Sequence, residues 1–107
     1  MSGISGTSGA SGMSGMFTLS ARLVFHIPQA ASLKDKRQVR RSLVDRVRHR
    51  FNAAIAEIDT QDVCRTLTLG IAVVSGDGAH RHDSINEIIR YMEEHADAEL
   101  TAVTLSE

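Results

Sequence analysis

Tryptophan is absent from this 107-residue chain, and cysteine, proline and tyrosine occur once each. The solitary Cys64 excludes an intrachain disulfide framework and any paired-cysteine metal motif. Three phenylalanines and one tyrosine are too few to furnish ring platforms for stacking bases across a sheet. The longest apolar stretch, residues 66–76, falls far short of the roughly 20 residues a bilayer-crossing helix needs. The opening residues carry neither a positive segment nor a continuous apolar one, so no secretory leader is expected. These absences together point to the cytoplasm and away from the membrane. Glycine is scarce after the start: five of the eight lie in the first fifteen residues, in a Ser-Gly-X repeat. That composition cannot bury a core. Residues 1–15 are therefore expected to be a flexible arm or an added linker, and residues 16–107 a single domain with a modest core.

What the chain has in quantity is positive charge in one place. Residues 34–50 hold eight Lys/Arg against two Asp, a balance of +6; the rest holds four Lys/Arg against eleven acids, −7, and the two sum to the net −1. A nearly neutral total hides a basic segment on an acidic body, an asymmetry that suits an anionic partner. The segment reads as one helix over residues 32–52. Val39, Leu43, Val47 and Phe51 recur every four residues, with Val44 beside them. Ser32 is placed to cap its N-terminus, and Asp35 three residues on resembles the second half of a capping box. On a helical wheel Arg37, Arg41 and Arg48 fall within about 40° of one another, away from the apolar sector. Arg40 falls inside that sector, so it must snorkel out, meet a buried acid or sit at an interface.

Around this helix the chain alternates between the two regular periods. Residues 17–27 alternate apolar and polar as a long strand with one buried face, stopped by Pro28. Residues 53–59 suggest a second strand. Thr60-Gln61-Asp62 signals a turn, and residues 64–75 give a third strand, with Leu67, Leu69, Ile71 and Val73 inward. Ser75-Gly76-Asp77-Gly78 breaks it and offers Ser75 or Asp77 as the cap of a second helix, about residues 79–96, whose inner stripe is Ile85, Ile88, Ile89 and Met92. Residues 98–105 form a last strand. The order strand, helix, strand, strand, helix, strand, with right-handed crossovers, gives an α+β fold: a ferredoxin-like βαββαβ sandwich, a four-stranded antiparallel sheet carrying both helices on one face. The other face would carry Thr18, Ser20, Arg22, Val24, His26, Thr66, Thr68, Ala72 and Val74.

Particular strings then resemble a family. His26-Ile27-Pro28 followed by Ser32-Leu33-Lys34-Asp35-Lys36-Arg37, with Arg50-Phe51-Asn52, Ala56-Glu57-Ile58-Asp59, Gln61-Asp62 and Val73-Val74-Ser75-x-Asp77-x-x-His80, is similar to the YlxP-like family, small bacterial proteins of a domain of unknown function. The likeness spans about residues 17–105. It implies the same ferredoxin-like domain. It also implies a connection with translation, because family members are often encoded beside translation and ribosome-maturation genes and are sometimes labelled similar to ribosome-binding factor A. It carries no catalytic residues. Two positions depart from the family pattern: Cys64 stands where a tryptophan is frequent, and Arg40 where an aliphatic residue is.

Chemistry is sparse. His80 and His82 with Asp77 and Asp83 do not share one helix face at i, i+2, so no metal site is expected. Cys64 has no evident base and orienter, so no nucleophilic site is expected. The loop after the first strand lacks the glycines and arginine of acylphosphatases, which share this topology. No catalytic residue, metal or cofactor is therefore expected, and the chain reads as a non-enzymatic accessory protein. Its anion-binding candidates are Lys34, Lys36, Arg37, Arg41 and Arg48, which would contact the phosphates of RNA or the ribosome. The competing reading is a solvated face whose arginines pair with Asp45 and neighbouring acids. Arg22 and His26, on the outer sheet face, are further contact candidates, although a hydrogen bond fixing the turn would also account for His26. The alternative function is a homo-oligomeric, ligand-sensing module whose open sheet face meets a second copy.

Overall fold

The structure, a computed structural model, describes residues 15–107, and all but the last residue of the expected arm lies outside that range. Six elements follow in the expected order: β1 (Phe17–His26), α1 (Leu33–Arg50), β2 (Ala54–Asp59), β3 (Thr66–Ser75), α2 (Arg81–His95) and β4 (Glu99–Ser106). The sheet is antiparallel throughout, in the order β2-β3-β1-β4. This is the ferredoxin-like arrangement.

β1 lies at the centre because its alternation supplies one continuous apolar face. Leu19, Ala21, Leu23 and Phe25 are buried, while Thr18, Ser20, Arg22 and His26 point the other way. Ile27 continues the line past the strand end, its N–H donating to the Arg65 carbonyl, and is fully buried. Leu67, Leu69, Ile71 and Val73 of β3 complete the floor. Leu43 and Val47 of α1 and Ile85, Ile88 and Met92 of α2 close it from above, with Val39, Phe51 and Ile89 partly buried against them.

α1 begins as its sequence dictates. Ser32 is extended and its hydroxyl accepts from the Asp35 N–H, while the Asp35 carboxylate accepts from the Ala31 N–H. Arg48, His49 and Arg50 occupy the last turn, where positive charge suits the helix dipole. α2 starts differently from expectation. Its cap position is His80, which makes no side-chain capping bond. Asp77 instead accepts from the N–H groups of Ala79 and His80, one residue ahead of the helix.

The two sheet edges differ. β2 carries an irregularity between Glu57 and Asp59 that lets Ile58 fold over Gly70 on the outer face. A Cβ on Gly70 would lie 3.1 Å from Ile58 Cγ2, so any larger residue there would push the half-exposed Ile58 side chain aside by a few tenths of an ångström. At β4 neither helix reaches far enough to cover the strand, and Val103 and Leu105 remain 41% and 47% exposed on the helix side. On the outer face Thr68, expected to be exposed, is buried: Thr60 folds over it, with the two hydroxyl oxygens 3.0 Å apart. Thr60 reaches that position with φ of +56°, in the left-handed region.

Candidate functional site

The faces of α1 decide what each cation can do. Lys36 points into the interior and is 1% exposed. Its ammonium meets the Val63 carbonyl at 2.9 Å and the Thr66 carbonyl at 3.0 Å, lies near those of Thr60 and Gln61, and pairs with Glu57 Oε2 at 2.8 Å. The expectation that Lys36 contacts an external anion is corrected by this burial: all its donors are spent on the β2–β3 loop and on Glu57.

Arg40 resolves the second anomaly of the helix. It meets a largely buried acid, Glu57, at 3.0 Å. Glu57 side-chain exposure is 7%, and burial alone would raise its pKa. The hydrogen bonds and charges of Lys36 and Arg40 outweigh that, and the carboxyl is held below its ordinary value of 4.5. A carboxyl depressed in the folded state stabilises above its unfolded pKa and loses that contribution as pH falls through the folded value. Stability should therefore decline on acidification below about pH 4.5, and Glu57→Gln should flatten part of that decline in denaturant titrations run from pH 3 to 7. An unchanged pH profile in the variant would remove Glu57 as its source.

The exposed cations remain. Lys34, Arg37, Arg41 and Arg48 all stand in solvent, and Arg41 and Arg48 border β2. Arg48 donates to the Ile55 carbonyl at 3.2 Å, which occupies an otherwise open acceptor on the β2 edge. Between helix and strand runs a groove of about 450 Å³ whose cationic lining is Arg40, Arg41 and Arg48 and whose apolar lining is Val44, Ile55 and Ala56. Asp45 and Glu57 also border it; Glu57 is the partner of Arg40, and no arginine pairs with Asp45 among the described residues.

The other sequence candidates lie elsewhere. Arg22 crosses the outer face to Asp59 at 2.7 Å, and the Thr60 N–H and Arg22 together hold the Asp59 carboxyl below its usual range. His26 is exposed at the end of β1, between Thr66 and Glu99, and its ring makes no hydrogen bond among the described residues. His80 turns to Asp77 and His82 to Glu107, so the two imidazoles diverge. No helix among the described residues is long and apolar enough to cross a membrane.

One cluster escaped the sequence reading. Phe51, at the end of α1, meets Tyr91 of α2 edge-on with ring centres 5.3 Å apart, and Tyr91 stacks on His95 at 4.1 Å. The i, i+4 spacing of Tyr91 and His95 was the available signal; the approach of Phe51 depends on how the two helices cross.

Comparison with known proteins places the chain in a family. The "Protein of unknown function (DUF503)" family model matches residues 18–105. The Bacillus subtilis (strain 168) protein named "Uncharacterized protein YlxP" is 32% identical over 75 residues, covering 70% of this chain and 82% of that protein. With the match running from β1 to the end of β4, the chain belongs to the DUF503, or YlxP-like, family.

Proposed function

We propose that this protein is a non-enzymatic, cytoplasmic RNA-binding accessory that holds the phosphates of RNA, including ribosomal RNA, along the exposed flank of α1. The observation that carries this reading is the division of labour among the cations. Arg22, Lys36, Arg40, Arg65 and Arg81, and one donor of Arg48, are engaged by carboxylates or carbonyls of the same chain. Lys34, Arg37 and Arg41 have no ion-pair partner among the described residues. Local acids thus neutralise Lys36 and Arg40 of the helix, through Glu57, and leave the exposed cations unpaired among the described residues, while the groove beside Arg41 and Arg48 offers room for a backbone. Phosphate contacts of this kind position a strand without reading its sequence.

Replacing Arg37, Arg41 and Arg48 together by glutamine keeps helix propensity and removes the charge. Three phosphate contacts on single-stranded RNA give a log–log salt slope of about −2. The triple variant should melt within a few degrees of the parent, lose retention on RNA and flatten that slope. A folded variant that binds RNA as before would overturn the assignment.

Self-association through the outer sheet face is the second reading. Val74 is 66% exposed there, beside a shallow groove of about 410 Å³ floored by Gly70 and Ala72. Mass in solution separates the two: the RNA reading requires no dimer, whereas the second fails if the chain is monomeric at micromolar concentration.

A further inference from the structure

The aromatic cluster at the junction of the two helices has a built geometry that the phosphate flank does not use. Phe51 contacts Tyr91 at an interplanar angle of 77°, and the Arg50 guanidinium carbon lies 5.2 Å from the Tyr91 ring centre and 5.6 Å from that of Phe51. Tyr91 is thereby braced on its edge and by a cation. His95 lies against it at an interplanar angle of 24°. The His95 Nδ1 is 2.9 Å from the Tyr91 carbonyl, an oxygen that can only accept, so this nitrogen carries the proton and the ring orientation is set. His95 itself is exposed, so a flat, pre-oriented surface faces solvent.

These residues border a cleft of about 260 Å³, together with Arg90 and two carboxylates, Glu87 and Glu94. The two carboxylates balance the charges of Arg50 and Arg90, so the cleft has no net positive charge to hold a phosphate and does not continue the phosphate flank. They do accept hydrogen bonds from the exocyclic amines of bases. We propose that the cleft takes one nucleobase of a single-stranded RNA, stacked on the free face of His95, with Glu87 or Glu94 accepting from the base's amino group. This inference rests on the RNA reading of α1 and deepens it. The cleft lies on the opposite flank of α1, so the strand crosses the roughly 10 Å width of the helix at its last turn, where Arg48, His49 and Arg50 stand. Stacking on an aromatic ring tolerates any base, whereas the carboxylates favour cytosine, adenine or guanine over uracil.

Tyr91 is the only tyrosine and there is no tryptophan, so intrinsic emission reports this cleft directly. The full chain is titrated with an eight-nucleotide oligocytidylate and, separately, with inorganic polyphosphate of similar charge. The oligonucleotide should quench Tyr91, while polyphosphate, followed by competition, should bind without quenching. His95→Ala should weaken the oligonucleotide about 5- to 150-fold and leave polyphosphate binding as it was. His95→Phe, which restores a ring, should recover most of the loss. Oligonucleotide affinity that is indifferent to His95→Ala, while both ligands still bind, overturns the stacking site and leaves the phosphate flank standing. Failure of both ligands to bind the parent chain overturns the phosphate reading, and the stacking site with it.

Discussion

Lys36→Ala is expected to cost about 3–5 kcal/mol of folding stability, enough to unfold a large fraction of a domain whose total is about 5–15 kcal/mol. The cost does not come from lost attraction alone. In the parent the ammonium, itself 1% exposed, shares its protons among part-buried carbonyls of the β2–β3 connection and Glu57. Removing it takes one donor from each of those carbonyls, of which Thr60 keeps the Val63 N–H and Thr66 the Thr60 hydroxyl, and leaves Glu57, 7% exposed, with Arg40 as its one remaining partner among the described residues. Lys36→Met keeps most of the volume and should be nearly as damaging, because the stranded Glu57 carboxylate and the lost carbonyl bonds, not the cavity, dominate. Combining Lys36→Met with Glu57→Leu should recover part of the loss, since the stranded charge is then gone. Chemical denaturation of the four proteins measures this, and a single-variant loss below about 1 kcal/mol would mean the ammonium stays solvated.

Leu43→Ala should cost about 2–5 kcal/mol. Leu43 is 1% exposed and belongs to the one continuous core, where α1 meets the sheet. The helix is held at Ser32 by its cap and at Lys36 by its anchor, so it is poorly free to settle into the space left behind. That favours the upper part of the range, and for a domain of this size the melting point should fall by at least about 10 °C. A shift below about 4 °C would show that the site collapses or that Leu43 is peripheral.

Both predictions fall on one helix, and the sequence displayed one of them openly and the other in disguise. The four-residue recurrence of Val39, Leu43, Val47 and Phe51 made the core face of α1 plain, as the alternation in residues 17–27 made β1 plain. Lys36 projects between Leu43 and Val47, about 20° from each on the wheel, so its burial was present in the pattern. Its charge masks that position, since an ammonium on a basic helix reads as one more external cation. Arg40 was recognised as misplaced, but its partner was not, because Glu57 lies on a neighbouring strand where its inward direction depends on register. The same holds for Arg22 and Asp59, which meet across β3, and for the ring cluster, which needs the helix crossing. Local period is written in the chain. Charge pairing between elements is written in the register, and that exists only once the sheet has formed.

The Lys36 anchor also bears on how the domain opens. A connection such as residues 60–65 between two strands of a hairpin is ordinarily where a chain is nicked, since a protease must draw several consecutive residues into an extended form. Here the carbonyls of Thr60, Gln61, Val63 and Thr66 converge on one ammonium carried by a helix 24 to 30 residues earlier in the chain. Freeing the loop for cleavage means withdrawing Lys36, and withdrawing Lys36 means lifting the first turns of α1 from the sheet. Loop and helix thus belong to one cooperative unit, and the cleavage rate of this connection tracks the opening of the whole domain instead of local fraying.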